Sequence, residues 1–243
     1  MTELPPRDPA VSEKLQILAT EHWSLLATRS LTYQESLGRV SMFLGVLSGS
    51  VIALALIAQV DRFGTTFIAV AIFMLAVVFF VGVATIRRLQ MLNLDDYTWV
   101  VGMNRLRHAY LELHPELEPY FITSQYDDLA GNLKTLGLSP ANAPLLGTLF
   151  HGFITLPGML GVIVASVGAA IAGLAVSGFG ASPNVVLLAG VLGFIAVLAV
   201  GMLIIKSGYA PQKGTVGYYA LIYGGATATW LLVHVVWARL WRN

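Results

Sequence analysis

The stretch VSMFLGVLSGSVIALALIAQV, residues 40–60, is long, apolar and free of charged side chains. A helix rises about 1.5 Å per residue, so this stretch is long enough to cross the roughly 30 Å hydrocarbon core of a bilayer. The short sequence DRFG follows at 61–64, and residues 67–86 form a second uncharged stretch of spanning length. The sequence therefore predicts a transmembrane helical hairpin over residues 40–86.

The composition of the whole chain also indicates a membrane protein. Of its 243 residues, 56% are hydrophobic and only 11% are charged, whereas a typical soluble domain carries about 25% charged residues. Too few polar side chains remain to cover a water-exposed surface, which excludes the soluble and disordered classes. The chain has no cysteine, which excludes disulfide frameworks, thiolate metal sites and cysteine nucleophiles. We therefore predict an all-α, polytopic helical membrane protein.

The positions of the arginines predict how the hairpin is oriented. Arg29 and Arg39 precede it. Arg87 and Arg88 follow it, whereas its loop contains only Arg62. Because basic residues are concentrated on the cytoplasmic side of membrane proteins, we expect a cytoplasmic N-terminus and a location in the inner (plasma) membrane. Basic residues are too few and too scattered to predict a nucleic-acid partner, so the lipid bilayer is the first expected partner.

Residues 1–39 predict a cytoplasmic amphipathic helix that leads into the first span. Asp8 is suited to cap the start of this helix, and Pro9 suits its first turn. Further along, residues recur at steps of three and four, which places them on one helix face. This N-terminal stripe consists of Leu15, Ala19, Trp23, Leu26, Ser30, Tyr33, Leu37 and Val40. We expect it to pack against another helix.

The second span is expected to continue as one helix from Phe67 to near Leu113, because a three–four repeat follows it without interruption. The repeat, which we call the stalk seam, consists of Leu89, Leu92, Asp96, Trp99, Met103, Leu106, Tyr110 and Leu113. All of these except Asp96 suit a core. Antiparallel packing of the stalk seam on the N-terminal stripe would bury both. The result is either a solvated helix pair or a stalk that senses a signal or drives assembly.

Residues 87–147 are predicted to form this cytoplasmic helical stalk and a compact linker. Pro115 cannot continue a helix and should end the stalk. Ser124, with Asp127 three residues later, resembles a capping box and predicts a short helix that ends before Gly137.

Residues 148–243 predict a second transmembrane block. Pro157 suits the first turn of a span over 157–177, and a turn at 181–184 separates it from a span over 185–205. Residues 217–237 form a fifth apolar stretch of spanning length. We predict about five spans; in the alternative, the last stretch is reentrant or lies in the interface and the chain has four.

Small residues at intervals of four predict close helix packing in this membrane block and in the first span. Such residues let two helix backbones approach closely, which is how membrane helices associate. The residues are Gly161, Ala165, Ala169, Gly173 and Ser177 in one helix, and Gly45 and Gly49 in another. They form either contacts within the chain or an interface between copies in a homo-oligomer.

The sequence contains no motif that predicts catalysis, a metal or a cofactor. No Asp, Glu, Lys or Arg lies inside a predicted span, which argues against proton-coupled carriers, pumps and voltage sensors. The chain has no Gly-x-Ser-x-Gly elbow and no P-loop. His108 and Glu112 share a helix face, but Pro115 redirects the chain before further ligands. We therefore predict a non-enzyme without a catalytic, metal or cofactor site.

Two segments carry a resemblance to known membrane proteins: EHWSLLATRS at 21–30 and MNRLRHAYL at 103–111. With the hairpin between them, they resemble a group of uncharacterised bacterial membrane proteins. They are also loosely similar to the SLATT two-span proteins, proposed pore-forming effectors in nucleotide-linked defence systems. The resemblance covers roughly residues 12–135, and the membrane block after residue 145 departs from the two-span pattern.

The resulting functional prediction is a homo-oligomeric channel or pore-like assembly with a cytoplasmic stalk for gating or assembly. The alternative is a non-conducting scaffold or accessory subunit whose stalk docks a soluble partner. A membrane carrier or enzyme ranks third.

Overall fold

The computed structural model describes residues 9–137 and 155–208, with side chains described through residue 201. These residues form α1 (Pro9–Asp61), α2 (Thr65–Leu113), a 3-10 helix (Pro115–Tyr120), α3 (Leu129–Thr135), α4 (Leu156–Gly178) and α5 (Pro183–Gly208). No strand occurs within these ranges, and the predicted all-α class is confirmed.

Four of the described helices are long and apolar enough to cross a membrane. They are Pro9–Asp61, Thr65–Leu113, Leu156–Gly178 and the described part of α5, Pro183–Gly201. As predicted, α1 continues from the N-terminal segment into the first span, and α2 continues unbroken to Leu113. The fifth predicted span, 217–237, lies outside the described residues, as does Asp8.

The chain divides into two compact units, and both α1 and α2 contribute segments to each. The polar unit consists of Met1–Leu37 and Met91–Phe150. The apolar unit consists of Gly38–Gln90 and His151–Asn243. Each unit is described below through its own contacts.

The α1–α2 turn is tight because the chain adopts left-handed conformations and Asp61 caps the next helix. Arg62 and Phe63 have φ values of 47° and 64°. The Asp61 carboxylate accepts a 2.6 Å hydrogen bond from the Phe67 backbone N–H. Such a bond satisfies one of the N–H groups that lack a partner at a helix start. The predicted turn at 61–64 is therefore confirmed.

The core of the apolar unit joins α1, α2 and α4. Phe67, Ile68, Ala71, Ile72 and Ala175 form one buried cluster. Further along α2, the backbone at Gly82 lies so close to two side chains that a methyl group would not fit. A Cβ added there would lie 2.5 Å from Val164 Cγ2 and 2.9 Å from Phe43 Cε2. This residue therefore permits a close approach of three helices.

The cap of the short helix α3 corrects one prediction. The prediction placed the cap at Ser124, but Asp128 caps α3, and its Oδ1 accepts a 2.7 Å hydrogen bond from the Gly131 N–H. Ser124 instead uses its hydroxyl in a local turn, where it accepts from the Tyr126 N–H at 3.1 Å. Asp128 immediately precedes the helix, so its side chain is the one within reach of the free N–H groups. The helix does end before Gly137, as predicted.

The start of α4 agrees with its prediction. Pro157 lies in the first turn, and the hydroxyl of Thr155 accepts a hydrogen bond from the Gly158 N–H at 3.3 Å. The next turn contains Gly180 at φ 74°, and α5 begins at Pro183. The predicted hairpin of two spans is therefore present in the described part of this block.

Candidate functional site

In the polar unit, α1 and α2 lie antiparallel and in close contact. A Cβ added at Gly102 would lie 2.9 Å from Leu25 Cδ1, the end of a flexible side chain, so Leu25 packs directly on α2 at this position. One turn earlier on α1, the ring of His22 stacks on Tyr110 with 5.9 Å between centroids. From Leu25 to His22 the residue numbers on α1 fall, while those of their partners on α2 rise from Gly102 to Tyr110. The two helices are therefore antiparallel.

This contact uses a different face of α1 from the predicted N-terminal stripe. Trp23 is 71% exposed, and Tyr33 and Leu37 are also exposed. The α1 residues that contact α2 are instead His22, Leu25 and Arg29. The prediction selected the apolar face, but the interface contains charged and aromatic polar groups. A shift of one residue rotates a helix face by about 100°, enough to exchange packed and open positions.

An ion pair connects the two helices at Arg29 and Asp96. Arg29 Nε donates to Asp96 Oδ1 at 2.6 Å, and Nη2 donates to Oδ2 at 3.2 Å. The side chains are 21% and 14% exposed. Burial lowers the pKa of Arg29, but the hydrogen bond and charge of Asp96 outweigh this effect and raise it overall. The one charged residue of the stalk seam is therefore accommodated by an arginine on α1.

A second arginine of this interface, Arg107, is buried without such a partner. It is 8% exposed and donates one hydrogen bond, from Nη1 to Asn104 Oδ1 at 2.7 Å. Among the residues that the structure describes, no ion pair joins it to a carboxylate. Burial, and then the charge of Arg29, lower the pKa of Arg107.

His22 completes what we call the cation cluster: His22, Arg29 and Arg107. Burial, and then the charge of Arg107, lower the pKa of His22. The only carboxylate that the structure pairs with this cluster, among its described residues, is Asp96. The cluster therefore carries more positive than negative charge whether His22 is protonated or not.

Asn104 is fully buried and makes four hydrogen bonds. Its Nδ2 donates to the Tyr126 backbone oxygen at 2.8 Å and to Asn132 Oδ1 at 2.9 Å. Its Oδ1 accepts from Arg107 and, at 3.0 Å, from Thr135 Oγ1. Every donor and acceptor of this amide is satisfied, which a buried amide requires to be stable.

Asn132, also fully buried, anchors the other side of this contact. Its Nδ2 donates to the Asp127 backbone oxygen at 2.8 Å and to Tyr97 Oη at 3.2 Å. We call Asn104, Asn132 and Thr135 the polar junction. Its hydrogen bonds hold the segment after the 3-10 helix in a single arrangement against α2.

The sequence analysis did not select Arg107 or the polar junction. The sequence does contain a signal, because buried apolar residues of α2 recur after 11 positions, as in the pairs Leu92 and Met103, and Val100 and Leu111. Asn104 and Arg107 are buried on the same face of the helix. Polar residues inside such a stripe must be paired with other groups, and this expectation could have identified them.

The stalk seam residues are only partly brought together. Leu89 in the apolar unit, and Leu92 and Met103 in the polar unit, are at most 4% exposed. Trp99, Leu106 and Tyr110 are half-buried, and the Trp99 Nε1 is buried without a hydrogen-bond partner. A strict seven-residue repeat drifts about 20° per heptad on a straight helix, so the packed face moves to neighbouring positions.

The small residues of α4 find close partners on α5. A Cβ added at Gly193 would lie 2.9 Å from Ala172 Cβ and 3.5 Å from Ala169 Cα. Ala165 is fully buried and Gly173 is buried, whereas Gly161 has no atom within 4 Å of its Cβ position and Ser177 is exposed. The strip therefore contributes to packing within the chain.

The two small residues of α1 have no such partner. Cβ atoms added at Gly45 and Gly49 would have no heavy atom within 4 Å. Both lie on the side of α1 away from Phe43 and Leu54, which pack inward. Within residues 9–137 and 155–201, nothing packs against this face of the apolar unit.

The surface of the polar unit also has an open cavity of about 320 Å³. Polar residues in its lining include Glu118, Asp128 and Lys134. The nearby His114 Nδ1 lies 2.9 Å from Glu116 Oε1. Within the described ranges, no three histidine or carboxylate side chains are grouped as metal ligands would be.

Comparison with known proteins adds no relative. No protein-family model, curated protein or solved structure matches the chain. Two features of the described residues remain without a packing partner or a balancing charge: the outward face of α1 and the cation cluster.

Proposed function

We propose that this integral membrane protein assembles with copies of itself into a channel-like or pore-like complex of the inner membrane. In this proposal the polar unit is the cytoplasmic stalk that controls assembly or gating. The observation that carries it is the outward face of α1, where no described residue covers Gly45 or Gly49.

The outward face of α1 has the spacing of a helix-packing surface. Its residues follow steps of four and three: Gly38, Met42, Gly45, Gly49, Ile52 and Leu56. The three large residues among them are between 54% and 63% exposed. Glycines beside large apolar residues form a groove and ridge that a second helix can fill, and such surfaces drive helix association in lipid.

The contrast with α4 supports self-association at α1. The sequence leaves open whether each small-residue strip packs inside the chain or between chains. The α4 strip contacts α5 at Ala169 and Gly173, so the close packing of these two residues is accounted for within one copy. Neither glycine of the α1 strip meets another helix among the described residues, and we assign their partner to a second copy.

The uncharged spans favour a passage lined by apolar and small groups. No charged side chain lies between 40 and 60, 67 and 86, 156 and 178, or 183 and 205. Apolar constrictions can gate a pore by excluding water, without buried ionisable groups. A change in the stalk would then open the passage by shifting the helices that line it.

The test combines particle mass with conduction. Native mass spectrometry of the intact chain in detergent should give a defined multimer, and the same protein should release a trapped fluorescent anion or cation from liposomes. Gly45→Leu with Gly49→Leu should reduce the multimer and the release. Ala55→Leu, an exposed position on another side of α1, is the matched control. A monomeric wild type that releases nothing contradicts the proposal.

A second candidate function, a scaffold that docks a soluble partner, is favoured by the exposed N-terminal stripe. Trp23, Tyr33 and Leu37 are more than half exposed in the polar unit, and clustered apolar exposure commonly marks an interaction surface. Trp23→Ser with Leu37→Ser should then abolish stoichiometric co-purification of another chain from native membranes. The particle mass of the purified protein should not change, which separates this function from self-assembly.

A further inference from the structure

We propose that Arg107, together with His22 and Arg29, binds a phosphate-type oxyanion in the polar unit. This site is separate from the outward face of α1, and it does not depend on whether the protein assembles into a pore. Its evidence is the position and pairing of Arg107.

Arg107 is a largely buried positive charge whose one hydrogen-bond acceptor among the described residues is uncharged. A charged side chain taken out of water is expensive unless an opposite charge and hydrogen bonds compensate it. Arg107 is 8% exposed, and the acceptor it contacts is the neutral Asn104 amide. A guanidinium has five N–H donors. Arg107 Nε and Nη2 are not among the buried atoms that lack a partner, so these groups face water, where a ligand can reach them.

The neighbouring groups cannot supply the missing negative charge. Asp96 is already engaged by two hydrogen bonds from Arg29. The Asn104 oxygen already accepts from Thr135 in addition to Arg107. The other charged groups that act on Arg107 and His22 are positive. The surroundings therefore increase the attraction for an anion instead of neutralising the arginine.

The donor set fits an oxyanion better than a halide. A guanidinium is planar and presents parallel N–H groups that match two oxygens of a phosphate or carboxylate. The imidazole of His22 stacks on Tyr110, one turn beyond Arg107 on α2, and would add a third direction from which a hydrogen bond can reach a tetrahedral ligand. A chloride ion is a single acceptor atom, so it cannot place two oxygens opposite the two parallel N–H groups as a phosphate can.

The probe is inorganic phosphate, added to the purified full chain in detergent at constant ionic strength. We expect a saturable rise in the thermal unfolding temperature, because a ligand that binds only the folded state stabilises it. Equilibrium dialysis with labelled phosphate should show the same saturation. Arg107→Met should lower the affinity by about tenfold or more, as expected when a charge-assisted hydrogen bond is lost. Arg105→Gln, a change at an exposed arginine on the same helix, should bind as the wild type does.

Arg107→Lys keeps the charge but not the planar fork, and should bind with intermediate affinity; it provides the comparison if Arg107→Met does not fold. Short-chain phosphatidic acid tests a lipid headgroup as the source. Protection by inorganic phosphate identifies a free anion, whereas protection by phosphatidic acid alone, weakened in Arg107→Lys, identifies a headgroup. The proposal is overturned if no phosphate compound binds saturably, if chloride protects equally, or if both Arg107 variants bind as the wild type does.

Discussion

Arg29 and Asp96, which are 67 positions apart in the chain, form a two-pronged ion pair with Nε–Oδ1 and Nη2–Oδ2 distances of 2.6 and 3.2 Å. Tyr33 lies against the same arginine, with the guanidinium carbon 5.8 Å from its ring centroid. A bidentate pair requires one specific alignment of the two helices, because its geometry is fixed on both sides. It therefore sets the register of α1 against α2 in the polar unit.

Removal of one member of this pair should destabilise the polar unit more than removal of both. Asp96→Leu leaves Arg29 partly buried and unpaired, and should cost roughly 1–3 kcal/mol. Arg29→Leu with Asp96→Leu should recover most of that loss, because no uncompensated charge remains. Thermal unfolding of the purified protein measures both. Asp127→Leu, at the exposed pair with Arg105, is the control and should have a smaller effect. Equal losses in the single and double variants would contradict this account of the pair.

Loss of the Asn104 amide should release the segment that the polar junction holds. Asn104→Ala removes the donor to Asn132 Oδ1 and the acceptor for the Thr135 hydroxyl, at about 1–3 kcal/mol for each buried group left unpaired. Hydrogen exchange at residues 124–135 should accelerate while exchange in the apolar unit is unchanged. Asn93→Ala, at an exposed asparagine on the same helix, should leave exchange at 124–135 as it is. Unchanged protection in Asn104→Ala would show that other contacts hold the segment.

A methyl group at Gly82 should disturb the apolar core, whereas one at Gly38 should not. Gly82→Ala places a Cβ against Val164 and Phe43, and overpacking of this kind typically costs about 1–3 kcal/mol. Gly38→Ala meets nothing within 4 Å and improves helix propensity. We expect a lower unfolding temperature for the first variant and an equal or higher one for the second. A Gly82→Ala protein as stable as the wild type would contradict the close packing described here.

The lowered pKa of His22 predicts that acid destabilises the polar unit. The folded state favours the neutral imidazole, so the unfolded state binds more protons between the folded pKa and the unfolded value near 6.5. Stability from this group is therefore present above about pH 6.5 and declines as the pH falls toward the folded pKa. His22→Phe keeps a ring against Tyr110 and removes the titration. The unfolding temperature of this variant should fall less between neutral and mildly acidic pH than that of the wild type.

The sequence predicts the helices of this protein well because their lengths are set by local rules. The uncharged stretch at 40–60, the turn at 61–64 and Pro115 each act through the bilayer thickness or the backbone alone. The helix that ends at Leu113 follows directly from them. These rules predict where each helix begins and ends without information about the helix that packs against it.

The faces that pack are harder to predict from sequence, because they depend on the partner. The apolar residue Trp23 lies in the open while the charged Arg29 faces α2, since Asp96 on the partner compensates the charge. Asn104 is not predicted for the same reason: its partners Tyr126, Asn132 and Thr135 are 22 or more positions away. Arg107 depends on them indirectly, because its hydrogen-bond acceptor is Asn104. Periodicity shows which residues share a helix face. It does not show that a face with polar residues will pack against its partner helix while an apolar face stays exposed.

The most direct test of self-association at α1 is disulfide cross-linking in native membranes, which the absence of cysteine makes simple. Single cysteines at Gly45, Gly49 and Ile52 lie on the outward face, and Leu54→Cys, on the side that packs inward, is the control. Under mild oxidation, the three outward positions should give covalent dimers and the control should remain monomeric. Dimers absent at all three outward positions, or equally abundant at Leu54, would contradict the assembly proposed here.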